Sequence, residues 1–401
     1  AEEVIASTET SDEMQLLYAD ALRLKGLVLY RLGKVRQSIP FLERSLELFQ
    51  RSEKNSVPIL LMDTGMAYRA TGNFEDARNS YEKALQIWRQ SGNLPWQASL
   101  LNNMGVMYHV QGEYEKAAFA FEEGLLCAQR SRYARLDILI SIGLGDLFAE
   151  LEDFSRAEQN YQYASDAIQG MDDRFLSYSI TFAKINLALL KREAGTARTI
   201  LEDVTKPIKN NKSNYENGFF SLLYGRFYLL NEAPHKAAQE LKKAEEQFFE
   251  DSRDQEVAVT RLWYAAASCQ KGDYAEAAEI IKNLYGDRGQ ISHAVLIAVH
   301  QARSWLDSLQ KKPEIAPIIR RLFTQSDRRV DGMPDIRRQL RRQARVVQAP
   351  IPHITIQAFG EAVVSLGGQP LTLSDWQTQA ARDLFFYFLT TTRPITKEQI
   401  G

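Results

Sequence analysis

Cysteine is nearly absent from this chain: Cys127 and Cys269 are the only two in 401 residues. That excludes a disulfide framework, and both fall inside helical patterns, so they read as buried thiols of a reducing, cytoplasmic compartment. Long apolar runs are missing as well. None approaches the roughly 20 residues a bilayer-spanning helix needs, no signal-peptide pattern opens the sequence, and no membrane partner is expected. A net charge of −2 supplies no global attraction to nucleic acid or acidic surfaces, leaving only local patches. There is no GxxxxGK[ST] phosphate loop, and "SIGLGDLF" (141–148) has the wrong glycine spacing for one. Nor does any nucleophile, base and orienter come together. No catalytic residue, metal site or cofactor is therefore expected, and the chain does not read as an enzyme.

What is present is a period. Aligned on the alanine shared by "EDARNSY" and "EKAAFAF", the equivalent positions are Ser38, Ala77, Ala117, Ala157, Ala197, Ala237 and Ala277, 39 residues apart once and 40 thereafter. Twelve residues upstream lie Gly26, Gly65, Gly105, Gly145, Ile185, Gly225 and Ala265, mostly small, where two helices can approach closely. An aromatic follows three residues later at Tyr68, Tyr108, Phe148 and Tyr228. Gly33, Gly72, Gly112 and Gly272 stand where a first helix must stop, in the left-handed cap conformation that costs glycine nothing. Each unit reads as helix, tight turn, helix, with Tyr81, Phe121 and Tyr161 packing back on the first helix and its neighbour. One such hairpin cannot bury its apolar face alone, so the fold class is all-α: a helical-hairpin solenoid of about seven 40-residue units plus a cap, with one continuous core.

Met104-Gly105, Tyr108, Gly112, Tyr114, Ala117 and Phe121 resemble the tetratricopeptide repeat, and residues 60–165 match it best. The 40-residue unit is similar to the extended repeats of bacterial signal-sensing regulators. Units five and six depart from the pattern: Arg192 and Glu232 replace the turn glycine, and Ala194 and Pro234 the turn aromatic. The resemblance implies a concave wall lined by first helices, at positions three before, one after and four after the small residue. Met62, Arg69, Asn102, His109, Asp146, Phe182, Asn186 and Arg226 occupy such positions. Polar groups among apolar anchors suit an extended peptide or protein segment, and a small-molecule inducer is a further candidate. For Asn102 both ligand contact and helix packing stay open, and His109 reads equally as a structural histidine.

Beyond the seventh unit, 292–310 is helical and "PEIAPIIRRLFTQ" reads as its partner in a degenerate eighth hairpin or cap. From Lys311 to Arg345 there are eleven cations against four acids. Ile336, Leu340, Ala344 and Val347 recur at helical spacing there, with Arg337, Arg338, Arg341 and Arg342 outside. That helix is either a solvated linker or a contact for DNA phosphates. After "APIPH" the period becomes alternating: "ITIQAFG" and "VVSL" read as strands, Gly367-Gly368 as a hairpin turn, and 376–392 as a helix with Ala381, Leu384, Phe385, Phe388 and Leu389 buried. Thr396 and Gln399 have the spacing of a capping box.

"FGEAVVSLGGQPL", Trp376, "ARDLFFYFL" and "RPITKEQI" resemble the start of an OmpR-type winged helix, particularly of the kind found in antibiotic-regulatory activators. Ala380 departs from the basic residue common there. The domain plan is therefore 1–310, repeat array; 311–352, basic linker and cap; 353–401, the amino-terminal part of a winged-helix α+β segment whose recognition helix would follow. Together the resemblances imply a bacterial transcriptional activator of MalT-like plan: a signal-sensing array that controls a DNA-binding domain, with DNA engaged only through the complete domain. The alternative is a scaffold for protein–protein interaction that does not bind DNA.

Overall fold

The computed structural model describes residues 12–52, 56–208, 213–251, 253–284, 291–347, 354–357, 363–366, 369–371, 376 and 378–390. They form two compact units, residues 1–340 and 341–401.

The larger unit is a run of antiparallel helix pairs. In chain order these are α1 (Asp12–Arg31) with α2 (Val35–Ser52), α3 (Val57–Ala70) with α4 (Phe74–Gln90), and α5 (Leu94–Gln111) with α6 (Tyr114–Arg130). Then follow α7 (Ala134–Glu150) with α8 (Phe154–Ala167), α9 (Arg174–Leu190) with α10 (Ala194–Ile208), and α11 (Asn214–Leu230) with α12 (Pro234–Glu250). α13 (Asp254–Lys271) with α14 (Tyr274–Asn283) is the seventh pair, and α15 (His293–Leu306) with α16 (Ala316–Val330) an eighth. α17 (Met333–Val347) comes last, and the division between the two units falls within it.

Seven of these pairs are closed by the same turn. Gly33, Gly72, Gly112, Glu152, Arg192, Glu232 and Gly272 all have positive φ, between 55° and 85°. The amide that follows each one donates to the carbonyl five residues back, at 2.8–2.9 Å, as Glu113 does to Tyr108 and Ala233 to Tyr228. This is the Schellman arrangement, which satisfies carbonyls left orphaned at a helix end. Units five and six therefore keep the turn that their sequences obscure. A left-handed conformation costs a side-chain-bearing residue roughly 1–2 kcal/mol, offset in part by the chain entropy glycine loses on folding. Glu232→Gly, at an exposed site, should accordingly raise stability by about 0.5–1 kcal/mol in thermal unfolding.

The small positions do what close helix approach requires. A Cβ on Gly65 would lie 2.5 Å from the Tyr81 ring, on Gly105 2.6 Å from Phe121, on Gly145 2.3 Å from Tyr161 and on Gly225 2.5 Å from Leu241. Phe121 also faces Gly143 of the next hairpin, so one ring wedges two units together. Tyr81, Phe121 and Tyr161 are essentially fully buried. The buried side chains run from α1 to α16 in three adjoining clusters: one from α1 into α9, one spanning α9 to α11, and one from α11 to α16.

The winding brings late hairpins back onto early ones. The backbone of Asp251 closes on Gly33, whose Cβ would sit 2.6 Å from the Asp251 carbonyl oxygen. His293, at the start of α15, packs on the bare Gly112 and meets Tyr114 edge-on, ring centroids 5.6 Å apart. Ile297, Met333 and Leu340 are buried in the same cluster as α3 to α8. The exposed Arg36–Asp254 pair, 4.0 Å apart across this closure, adds little by itself, since solvent-screened pairs contribute ~0–1 kcal/mol.

In the smaller unit, β1 (Ile354–Gln357), β2 (Val363–Leu366) and β3 (Gln369–Pro370) form an antiparallel sheet in that order, with Ile354 opposite Leu366 and Gln357 opposite Val363. The strand pair expected around Gly367-Gly368 is present, although those two glycines, like Thr396 and Gln399, lie outside the described residues. α18 (Gln379–Thr390) follows, and Trp376 packs on Phe385 and Phe386 at 5.1 and 6.5 Å between centroids. The stripe expected to be buried on this helix is not: Leu384, Phe388 and Leu389 are exposed. Trp376 covers Phe385 and Phe386 and leaves Leu384, Phe388 and Leu389 bare.

Candidate ligand-binding wall of the solenoid

First helices of the hairpins face inward, and their polar side chains meet groups from distant turns of the winding. Glu150, at the end of α7, is the hub of one cluster. Its Oε1 accepts hydrogen bonds from Tyr114 Oη at 2.8 Å and His293 Nε2 at 3.0 Å, while its Oε2 lies 3.3 Å from His109 Nε2. One turn back on α7, Asp146 accepts from Tyr161 Oη at 2.6 Å. The predicted wall residues His109 and Asp146 are thus brought together, through a glutamate that the repeat pattern did not single out.

The electrostatics follow from burial set against partners. Burial alone would push the Glu150 carboxyl up, but His109 and His293 overrule it and hold it well below the usual carboxylate range. Burial opposes charge on His109 too, yet Glu150 raises its affinity for the proton. For Asp146 burial wins, pushing it up to about 6 despite the Tyr161 hydrogen bond and the charge of His109, with Glu150 adding to the rise. Groups with raised folded values lose stabilisation as pH rises through them, and the depressed Glu150 loses its contribution as pH falls below its ordinary 4.5. The unit should therefore be most stable near pH 4 to 4.5, between the ordinary 3.8 of Asp146 and the ordinary 4.5 of Glu150, and should lose the Asp146 contribution as pH rises from there to about 6. Asp146→Asn retains an acceptor for Tyr161 and should flatten the decline between about pH 4 and 6 in thermal melts. A decline unchanged by the substitution would assign it to other groups.

A second constellation gathers Asn186 and Arg226. Arg226 Nη1 donates to Asn186 Oδ1 at 2.6 Å and Nη2 to Gln301 Oε1 at 3.4 Å, and its guanidinium lies 4.7 Å from the centroid of Trp263. Its Nε is buried with no hydrogen-bond partner. Neither acceptor is charged, and burial lowers the guanidinium to about 10. Beside it opens a cavity of about 200 Å3, bordered by Arg192, Trp305, His300 and, from the last helices, Val330 and Met333.

The remaining predicted wall residues lie elsewhere. Met62 and Asn102 are buried between helices rather than displayed. The Asn102 position thus has the packing environment that was one of its two readings. Arg69 sits among Tyr81, Tyr30 and Tyr215, from three different hairpins, and Phe182 stacks on Tyr178 with centroids 5.9 Å apart. Of the basic helix, Arg337 donates to the carbonyls of Leu151 and Glu152, both at 3.2 Å, which fixes it on the end of α7. Arg338 pairs with Asp335, and Arg341 and Arg342 are exposed. Glu150, Tyr114, His293, Gln301 and both tryptophans escaped the sequence reading, because they join the wall only when the eighth hairpin returns to the third and fourth. Both cysteines are free and buried as expected. Among the described residues no helix is long and apolar enough to cross a membrane.

A family model described as the MalT-like TPR region matches residues 19–293, the seven hairpins and the turn onto His293. The chain belongs to this family. Among solved structures, this MalT-like TPR region is similar to a tetratricopeptide repeat protein from Parabacteroides merdae, with 16% identity, 72% of this chain and 99% of that one covered, and a TM-score of 0.45. It is also similar to a Rap protein complexed with competence and sporulation factor, with 12% identity, coverage of 79% and 99%, and a TM-score of 0.48. No curated protein matches it.

Proposed function

We propose that this MalT-like TPR region receives a signal on its inner wall and passes it to a winged-helix DNA-binding domain of which residues 353–401 are the amino-terminal part. The domain division at 310 and 352 belongs to the same proposal. The observation that carries the reading is the Arg226 constellation. A buried cation, answered only by amides, borders a cavity that Val330 and Met333 also line. Packing for stability alone favours apolar contacts there, since an incompletely satisfied buried charge is costly.

Coupling follows from the lining. Met333 begins α17 and is buried against the early hairpins, so an occupant that displaces it biases the helix leading out of the array. Ligand then acts by population shift, favouring whichever packing of α17 it fits better. The proposed occupants are a peptide, a protein segment or a small inducer, and DNA is engaged by the completed winged helix alone. The exposed apolar face of α18 is what such a domain would cover with its remaining elements. For Arg338, Arg341 and Arg342 the proposal is an auxiliary contact to DNA phosphates, salt-sensitive and indifferent to sequence.

The test compares Arg226→Ala with Asn102→Ala in a polypeptide carrying the complete winged helix. Signal-dependent promoter activation should disappear in Arg226→Ala while the melting temperature stays within a few degrees. In Asn102→Ala, a position packed between helices and outside the cavity lining, activation should persist. Activation that survives Arg226→Ala in a folded protein would overturn the assignment. A second reading, a scaffold without DNA binding, is favoured by the outward rings of Phe119 and Phe249, 67% and 69% exposed. In that case alanine at those two positions, and not at Arg226, would abolish function.

A further inference from the structure

The cavity beside Arg226 has a chemistry more specific than a generic receiving wall. Trp263 and Trp305 meet edge to face, ring centroids 6.0 Å apart. Each carries an arginine: Arg226 at 4.7 Å from the centroid of Trp263, and Arg192 at 5.8 Å from that of Trp305. Arg192 is held there by the hairpin turn, at φ 60°. The result is an edge-to-face tryptophan pair with a guanidinium over each ring, that of Arg192 on an exposed residue. The acids in the lining are already engaged, Glu150 with His109 and His293, and Glu152 with His300 at 3.6 Å. Among the described residues no carboxylate forms an ion pair with Arg226 or Arg192.

From this geometry we infer that the cavity binds a small single-ring organic acid, its carboxylate on the Arg226 guanidinium with Arg192 assisting, and its ring against Trp263 and Trp305. Size limits the ligand. A cavity of ~150 Å3 suffices for benzene, and this one measures about 200 Å3, so one ring and a charged head fit where a folded peptide segment does not. Arg226 already has two amide acceptors that fix its plane, and its buried Nε is the donor without a partner. A carboxylate supplies the acceptor and the charge together, in the planar geometry that arginine matches. The tryptophan faces add stacking and exclude water, which strengthens the ion pair.

The inference rests on the inner wall being the receiving surface, and it names the ligand class. Its test uses the full chain with benzoate and its neutral isostere benzamide, observed by ligand-detected NMR and calorimetry. Benzoate should bind saturably and benzamide about tenfold or more weaker, the difference a charge-assisted hydrogen bond makes. Arg226→Gln should remove most of the preference for benzoate. Arg226→Lys should restore part of it, and Arg192→Gln, at an exposed turn, should weaken benzoate by a smaller factor. Unchanged helical circular dichroism and melting in Arg192→Gln ensures that at least one variant reports binding in a folded chain. Saturable benzamide binding equal to or tighter than that of benzoate would overturn the anionic class and leave the wall as a receiving surface. Absence of saturable binding by both, or benzoate binding unaffected by Arg226→Gln and Arg192→Gln alike, would overturn the site itself.

Discussion

Gly105→Leu should collapse the centre of the array, lowering the midpoint of thermal unfolding by about ten degrees or more and broadening the transition. The first carbon of any side chain there would stand 2.6 Å from the Phe121 ring. Phe121 has little room to retreat, because it is fully buried and the same edge of its ring is also wedged against Gly143. Overpacking usually costs ~1–3 kcal/mol where neighbours can yield. Here the helices of two hairpins must move apart, so about 4 kcal/mol or more is expected. Repeat arrays gain stability from nearest-neighbour interfaces, so hairpins three and four should open before the rest, giving earlier loss of amide protection in α5 to α8. Gly195→Leu is the matched control, since nothing lies within 4 Å of a Cβ there, and it should leave the midpoint nearly unchanged. Equal losses at the two glycines would refute the interhelical role of the small positions.

Removing the hub of the inner-wall cluster comes next in size. Glu150→Ala leaves Tyr114, His109 and His293 facing one another without their common acceptor, and should destabilise by about 2–4 kcal/mol at mildly acidic pH. The sign of the pH dependence is specific. In the native chain Glu150 stabilises the charged form of His109, a contribution that fades as pH rises above the ordinary 6.5. It also fades as Glu150 itself takes up a proton at low pH. The gap between native and variant melting curves should therefore be widest between those limits and narrow on either side. A gap independent of pH would mean that Glu150 acts through packing alone.

Much of this architecture was readable from side-chain size at fixed intervals. Gly65, Gly105 and Gly145 marked the contacts that Tyr81, Phe121 and Tyr161 make, because the fit of a ring to a bare backbone is a local matter of 16 residues. The turns at Glu152, Arg192 and Glu232 were harder to see, since their left-handed conformation is imposed by the six-residue hydrogen bond and not by the residue itself. The wall was legible only in part. His109, Asp146, Asn186 and Arg226 face inward at the expected phase, but their partners Glu150, His293, Gln301 and Trp263 belong to contacts set by superhelical pitch. No pattern within one repeat encodes that pitch. The same holds for α18, where helical spacing forecast a buried stripe at Leu384, Phe388 and Leu389 that the described residues leave exposed.

The central claim is that the solenoid closes on itself, laying the eighth hairpin against the third and fourth and so burying the inner wall. The most direct test is a double-mutant cycle between Glu150 and His293, which are 143 residues apart in sequence and 3.0 Å apart in space. Thermal or denaturant unfolding of Glu150→Ala, His293→Ala and the double variant should give a coupling of about 1 kcal/mol or more at pH 6. Effects that add within about 0.3 kcal/mol would mean the two side chains do not meet, and the closed winding described for this protein would be wrong.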